Sequence, residues 1–246
     1  MKSRLFAATI AILALVHCAP AQAEIHYDIR AGIGIGGIAP LPFPEEIREI
    51  YSYSPGFQPS IQAGMSDMLS TKWGVRTALR LETKGMSTSA RVKNYSMSIT
   101  GDDGSSLYGF WTGDVDTDAR NFLLTVPVCA VYKMTDRLSL DFGPYLSLLL
   151  GGDFSGEVSD GYLREGSPIG DKVVFENGAT SSYDFSDSYS RCQFGLSLGA
   201  DYRINDEWFV SAALDWGLTD VFKSSFKTIT FDMYPICVRL SVGYSF

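Results

Sequence analysis

The sequence has few of the residues that build metal and nucleophilic sites. Of its 246 residues only two are histidine and four are cysteine, and no CxxC pair or histidine-rich segment occurs. Widely separated cysteines do not form the ligand pattern of a zinc site. Cys18 lies in the N-terminal segment 1–23, which is interpreted below as a signal peptide. The other three, Cys129, Cys192 and Cys237, are an odd number, so at least one thiol is expected to be free. We predict no metal, no cofactor and no catalytic residue.

Long hydrophobic runs are scarce as well. Residues 5–16 form one apolar run behind Lys2 and Arg4, and the small-residue segment 21–23 follows it. This arrangement predicts a signal peptide over residues 1–23, because the run is too short for a membrane-spanning helix. No later stretch reaches the roughly eighteen apolar residues that such a helix needs. If residues 24–246 cross a membrane, they must do so as a β-barrel.

Positive charge is the minority charge. Lysine and arginine number 20 against 28 aspartate and glutamate, which gives a formal net charge of −8. An acidic exported chain lacks the basic surface that nucleic acids require. We therefore expect no nucleic-acid partner.

What the sequence does contain is a two-residue period. In residues 234–246 apolar or aromatic side chains alternate with small or polar ones, and the stretch ends on Phe246. This ending resembles the C-terminal strand of bacterial outer-membrane barrels. The resemblance implies a location in the outer membrane, contact with outer-membrane lipid, and recognition of this strand by the barrel-assembly machinery.

The same period recurs along the chain and predicts eight strands. Their ranges are 25–36, 57–69, 73–84, 122–132, 138–150, 192–204, 208–218 and 234–246. Turns of a few residues alternate with long polar segments, which we expect to be loops at 37–56, 85–118 and 152–190, the first with a short helical turn at 45–50. This asymmetry is typical of membrane barrels. The fold class is all-β, an eight-stranded antiparallel up-and-down transmembrane β-barrel over residues 24–246, with short periplasmic turns and long extracellular loops.

Several motifs resemble one family in particular. Asn121-Phe-Leu-Leu-Thr-Val-Pro127, Leu140-Asp-Phe-Gly-Pro-Tyr145 and Gly195-Leu-Ser-Leu-Gly-Ala-Asp-Tyr202 are similar to segments of the PorT-like outer-membrane β-barrel family of the Bacteroides group. The resemblance covers most of residues 24–246. It implies the barrel fold and, as one alternative, an accessory role in protein secretion.

A soluble lipocalin-like barrel is the main rival, because it is also eight-stranded and exported. Aromatic residues favour the membrane barrel, since they concentrate at both ends of the predicted strands, as at the two surfaces of a bilayer. The predicted interface aromatics are Tyr27, Trp73, Tyr132, Tyr202, Trp208, Trp216, Tyr234, Tyr244 and Phe246. The core of a soluble barrel gives no reason for aromatic residues to concentrate at the two ends of the strands.

The other face of the strands carries charge. Its predicted members, which would point into the lumen as a network of ion pairs, are Asp28, Arg30, Arg76, Arg80, Glu82, Lys84, Asp141, Asp201, Arg203, Asp215 and Arg239. Burial would force these charges to pair, because an isolated charge in a low-dielectric interior costs several kcal/mol. An eight-stranded barrel is only wide enough for side chains to fill it. We therefore predict a plugged lumen.

Two further segments suggest chemistry and are interpreted otherwise. His26 starts the first strand, far from the long loops, and we expect a boundary side chain. Residues 114–118 place three aspartates at calcium-loop spacing, but Ala119 replaces the turn glycine and Thr125 the closing glutamate. A solvated acidic loop is the better interpretation.

Three functions remain open. The first is a non-enzymatic surface protein whose outer loops bind a partner or have a structural role. The second is a porin for small solutes, and the third is the secretion role implied by the resemblance. A filled lumen and large loops favour the first.

Overall fold

The computed structural model describes residues 25–100, 106–175 and 178–246. The predicted signal peptide lies outside them. Eleven strands occur in chain order: β1 (Ile25–Pro40), β2 (Ile47–Pro55), β3 (Gln58–Met68), β4 (Trp73–Thr100), β5 (Ser106–Lys133), β6 (Leu138–Glu165), β7 (Lys172–Phe175), β8 (Ser181–Asp184), β9 (Cys192–Arg203), β10 (Trp208–Gly217) and β11 (Met233–Ser245). A 3₁₀ turn occupies Ser186–Ser188. Among these residues no helix has the length and apolar character needed to cross a membrane.

Eight of these strands form a closed ring. The antiparallel neighbours run β1, β3, β4, β5, β6, β9, β10, β11, and β11 pairs back with β1 from Asp28 opposite Ser245 to Pro40 opposite Met233. At the end of this last seam, the backbone N–H of Phe246 donates a hydrogen bond to the carbonyl of Tyr27 at 2.9 Å. The predicted eight-stranded antiparallel barrel is confirmed.

The three short turns share one local device. A side-chain oxygen of Ser70, Thr135 or Asn205 accepts a hydrogen bond from the backbone N–H three residues later, at 3.0, 2.9 and 2.7 Å respectively. Ser, Thr and Asn form such turns because their short side chains can replace a backbone acceptor. The turns therefore close the hairpins at one end of the barrel.

The apolar faces of the barrel strands point outward. Ile29 is 50% exposed and Leu79 is 60% exposed, while Arg80 beside it is 1% exposed. A lipocalin-like barrel requires the reverse arrangement, with apolar side chains inside. The soluble alternative is therefore wrong, because this outer surface is suited to lipid rather than to water.

The barrel wall continues well beyond a bilayer. Strands β4, β5 and β6 each have 28 residues. At about 3.3 Å per residue each strand is roughly three times as long as a hydrocarbon core is thick, and a tilt of about 40° still leaves it spanning roughly twice that thickness. We call the described residues of 37–55, 86–119, 152–190 and 218–232 the extension. The predicted loops and helical turn in the first three segments are wrong, because β2, the upper parts of β4, β5 and β6, and β7 and β8 occupy them.

Side-chain polarity inverts where the wall enters the extension. On β4 the inward residues change from Lys84 to Met86, Ala90 and Val92, while the outward residues change from Leu81 to serines and Arg91. The extension thus has an apolar core, which includes Val92, Met97, Ile99, Trp111, Val115, Phe154, Val158, Leu163, Tyr183, Phe185, Tyr189, Val221 and Phe222. Burial raises the pKa of the Tyr183 hydroxyl. The extension is a folded region with its own core.

Candidate functional site: the lumen ion-pair network

Ten buried or nearly buried charges fill the lumen in two groups. The lower cluster, near the short turns, consists of Asp28, Arg30, Arg76, Asp141 and Asp201. The upper cluster consists of Arg80, Glu82, Lys84, Asp215 and Arg239. Five cations thus face five anions. A balanced set is what burial demands, because an unpaired charge in such an interior is costly.

In the lower cluster, Arg30 and Arg76 share Asp201. Arg30 contacts Asp201 at 3.0 Å and Asp28 at 2.7 Å, and Arg76 contacts Asp201 at 2.7 Å and Asp141 at 3.2 Å. The guanidinium of Arg30 also lies 4.7 Å from the centre of the Phe209 ring. The cluster joins β1, β4, β6 and β9 across the lumen. It therefore cross-links barrel strands that are far apart in sequence.

In the upper cluster, Arg80 and Asp215 are central. Arg80 is 1% exposed and Asp215 is 0% exposed, and their side chains meet at 2.9 Å. Arg80 also contacts Glu82 at 2.9 Å, and Arg239 bridges Asp215 and Glu82. Lys84 lies 3.5 Å from Glu82 and 5.2 Å from the centre of the Tyr145 ring. The cluster links β4, β10 and β11.

Neutral polar residues donate further hydrogen bonds to the carboxylates of the network. The Ser211 hydroxyl donates to Asp201 at 2.6 Å, Ser197 donates to Asp215 at 2.6 Å, and Thr125 donates to Glu82 at 2.7 Å. The charge-based prediction missed these residues, together with the buried glutamines 58, 62 and 193. They lie on the same inward face as the charges. The two-residue period could have identified them, had neutral side chains been considered.

Glycine makes room for this filling. A Cβ atom at Gly34 would lie 2.9 Å from the Cys237 sulfur, and one at Gly199 would lie 2.7 Å from an Asp141 carboxylate oxygen. Both contacts are shorter than carbon atoms tolerate. Gly34 is one of the alternating glycines of β1, which make space inside the narrow barrel.

Arg203 is not brought into the network. Its side chain is exposed at the end of β9, where it lines a mouth cavity of about 180 Å³ together with His26 and Arg137. The inclusion of Arg203 in the lumen set is therefore corrected. The side chain reaches water because the strand ends one residue before the turn.

The interface aromatics lie on the outer surface. Tyr27, Trp73, Tyr202, Trp208, Trp216 and Phe246 are between 46% and 69% exposed, and Tyr132, Tyr234 and Tyr244 are partly exposed. Several are adjacent: the ring centroids of Trp73 and Tyr132 are 4.8 Å apart, and those of Trp208 and Tyr244 are 5.2 Å apart. These pairs place aromatic rings together at the short-turn end of the barrel.

The three aspartates at 114, 116 and 118 lie on strand β5, not on a loop. Each carboxylate accepts a hydrogen bond from a side chain of β4: Asp114 from Arg91 at 2.8 Å, Asp116 from Ser89 and Asp118 from Ser87. The predicted acidic loop is thus a strand. In the described part of the chain no group of three potential ligands is arranged to hold a metal ion.

A closed ring with a charged interior and an apolar, aromatic-flanked exterior defines a transmembrane β-barrel. The model of the family described as "Outer membrane protein beta-barrel domain" matches residues 20–223. The chain belongs to this family and is an outer-membrane protein. No curated protein matches it in sequence.

Solved structures provide distant likenesses. Ail, the attachment invasion locus protein of Yersinia pestis, in complex with the heparin analogue sucrose octasulfate, is 11% identical with a TM-score of 0.40, over 91% of this chain and 99% of that one. The protease OmpT of Escherichia coli is 9% identical with a TM-score of 0.38, over 92% and 99%. Neisserial surface protein A is 13% identical with a TM-score of 0.35, over 92% and 98%. These proteins differ in role, and the likenesses carry no argument about the activity of this chain.

Proposed function

We propose that this protein is a non-conducting, non-enzymatic outer-membrane barrel that anchors a folded extracellular extension, and that the extension mediates surface contact or a structural role. The balanced ion-pair network carries this proposal. The ten charges connect six of the eight barrel strands. The side chains in the lumen therefore support the barrel wall and do not leave a path across the membrane.

The space inside the barrel supports a plug. Between the two clusters the lumen contains a cavity of only about 30 Å³, lined by Arg30, Arg76, Arg80, Asp141 and Arg239 among others. Such a volume holds about two water molecules. A hydrated ion could pass only if several ion pairs separated at once, and separating a buried pair is costly. The porin alternative is therefore disfavoured.

Single-channel recording tests the plug. The purified protein in planar bilayers should give no stable unitary current, whereas the double variant Arg76→Ala/Arg80→Ala, which removes one cation from each cluster, should leak or fail to fold. Arg203→Ala is the matched control, because it deletes an arginine that is exposed at the mouth. A steady, reproducible conductance from the unmodified protein would overturn the proposal in favour of the porin.

The orientation of the extension needs a separate test. Ile169 is 90% exposed near the tip of β6 and β7, and Asp136 is 98% exposed in a short turn. In a Cys192→Ala background, a membrane-impermeant maleimide added to intact cells should label Ile169→Cys and not Asp136→Cys. The remaining cysteines, Cys129 and Cys237, are buried. Labelling of Asp136→Cys alone would invert the topology.

Within the family we further assign the chain to the PorT-like group. Two of the motifs that carry the resemblance lie on the paired strands β5 and β6 and meet where Pro127 is opposite Tyr145. This affiliation implies a secretion role as the alternative function. Loss of exported proteins in a deletion strain, restored by the gene, would favour that role over surface contact.

A further inference from the structure

One part of the barrel wall lacks a backbone ladder. From Ile25 to Gly34, β1 pairs with β3, but above Gly34 it pairs only with β11. The next segment of the neighbouring wall, β2, pairs with β4 instead, from Pro55 opposite Met86 to Ile47 opposite Val92. A seam therefore runs between the upper part of β1 and β2.

Side chains of β3 and β4 contact the backbone of β1 near this seam. The Gln58 amide group donates to the carbonyls of Gly36 and Gly85, both at 2.7 Å, and the N–H of Ile38 donates to the Met86 sulfur at 3.3 Å. Gln58 is 2% exposed. Since buried backbone groups need partners, these contacts satisfy the Gly36 carbonyl and the Ile38 N–H on the β1 side of the seam.

Behind the seam lies an apolar cavity of about 290 Å³, close to the lower limit of about 300 Å³ for small-molecule sites. Its walls include Ile38, Ile47, Met86, Val92, Val115 and Met233. No charged residue is among the lining residues in the described part of the chain, and its polar groups are hydroxyls of tyrosine and threonine. A ligand with a buried charge would find no partner there.

The mouth of the cavity is continuous with the lipid-facing surface. Phe43, Ile50 and Tyr53 at the mouth are 58%, 48% and 49% exposed. We call the outward-facing apolar side chains of the barrel strands below the extension the lipid-facing band. Ile35 and Phe57, at its upper end, are 55% and 82% exposed. An alkyl chain could pass from the bilayer to the cavity along apolar side chains, while its polar headgroup stayed at the membrane surface.

We propose that the cavity binds one acyl chain of an outer-leaflet lipid, which enters sideways through the seam between β1 and β2. The chemistry favours an unbranched alkyl chain, because the site is small, apolar and open toward the membrane. The extension would then contact the lipid surface directly, in addition to any partner it binds in water.

Photo-crosslinking tests this proposal. The protein is placed in phosphatidylcholine nanodiscs in which some lipids carry a diazirine near the end of one acyl chain, and adducts are mapped by mass spectrometry. We expect adducts on 86–92 of β4, which line the cavity, in addition to the lipid-facing band. Adducts on the band alone would overturn the proposal.

Two alanine substitutions provide a matched pair. Ala90→Phe places a ring in the cavity, since Ala90 lines it and is 8% exposed. It should lower labelling of the cavity strands about tenfold, equivalent to about 1.4 kcal/mol of binding free energy, and leave the band unchanged. Ala63→Phe, on the exposed outer face of β3, should leave cavity labelling unchanged. Unchanged cavity labelling in both folded variants would contradict the proposal.

Two additional experiments test whether the variant folds and where the bound acyl chain comes from. If Ala90→Phe does not fold, as judged by heat-modifiable migration on a gel, Thr88→Phe fills the same cavity from a partly exposed position. A free diazirine fatty acid and a water-soluble diazirine are each added in a parallel experiment. Cavity labelling by the lipid supports the proposal, whereas labelling by the free fatty acid alone, or by a water-soluble diazirine alone, would overturn entry from the bilayer.

Discussion

On β4 the inward side chains of the barrel are Arg76, Arg80 and Lys84, whereas in the extension the inward side chains of the same strand are Met86 and Val92. The strand and its two-residue period continue from the barrel into the extension as far as Val92, beyond which a bulge shifts the register. What changes is the surroundings, from lipid outside the barrel to water outside the extension. The interior of each region contains the groups that its surroundings solvate poorly. The barrel, surrounded by lipid, has a polar interior, and the extension, surrounded by water, has an apolar interior.

The two interiors also differ in how they hold together. In the extension, the stabilising free energy is proportional to the apolar surface area that is buried, at about 25 cal/mol per Å². An apolar core of this kind tolerates modest repacking. The lumen depends on complete pairing, because a buried charge that loses its partner is left without solvation. Substitutions should therefore have global effects in the lumen and more local effects in the extension.

The largest effect is expected in the upper cluster. Arg80→Leu would leave Asp215 and Glu82 with less compensation and should lower the free energy of unfolding by about 3–5 kcal/mol. Urea unfolding in lipid vesicles measures the change. The control Arg203→Ala, exposed at the mouth, should stay within about 0.5 kcal/mol. Equal effects of the two variants would mean that pairing does not distinguish the lumen.

An effect of similar size is expected in the core of the extension. Trp111 is 0% exposed and packs 5.3 Å from Phe175 between ring centroids, so Trp111→Ala should cost about 3–5 kcal/mol through lost burial and a cavity. We expect faster hydrogen exchange in the extension and unchanged exchange in the barrel strands. Val174→Ala, at a 48% exposed position, is the control. Uniformly faster exchange in the barrel strands would show that the two interiors are one cooperative unit.

A smaller effect on stability, but a clear one on assembly, is expected at the terminal strand. Phe246 is 69% exposed, so its ring adds little to the interior, and we propose that the assembly machinery recognises it. Deletion of Phe246 should lower the fraction of folded, heat-modifiable protein in cells while export continues. Ile169→Ala in the extension is the control. A normal folded fraction after the deletion would refute this role.

The smallest effect is a pH dependence confined to the extension. The carboxylate of Asp184 accepts a hydrogen bond from the Ser186 backbone N–H at 2.8 Å, and hydrogen bonds from the hydroxyl and N–H of Ser186 lower the pKa of this carboxylate below its ordinary value of 3.8. Its contribution is present above that value and is lost as pH falls through the lowered pKa. For this mostly exposed group we expect less than about 1 kcal/mol.

Exchange of the Ser186 amide proton between pH 2 and pH 6, about two units on either side of the ordinary value, measures this contribution. After correction for the intrinsic pH dependence of exchange, protection should fall toward low pH in the native protein. In Asp184→Asn it should not change with pH. An identical profile in both proteins would assign the protection to the fold around the 3₁₀ turn.

The sequence was most informative where both faces of a strand have clear and opposite polarity. The predicted strands 73–84 and 208–218 begin at the residues where β4 and β10 begin, because a short polar turn precedes each of them and apolar residues then recur at nearly every second position. The interval 85–118 was misread as a loop. On β4 the period of two persists as far as Val92 and then shifts at a bulge before Tyr95. Many outward residues of the interval are serine and aspartate, so the segment as a whole is polar.

The sequence alone determined the strand period, the apolar outer face, and the charged inner face of this protein, since alternation depends only on backbone geometry. The tertiary structure decided which charges meet. Arg80 and Asp215 are 135 positions apart, and their contact depends on closure of the ring, which no local pattern encodes. The exclusion of Arg203, the apolar core of the extension and the seam between β1 and β2 were decided at the same level, because each depends on where strands end relative to their neighbours.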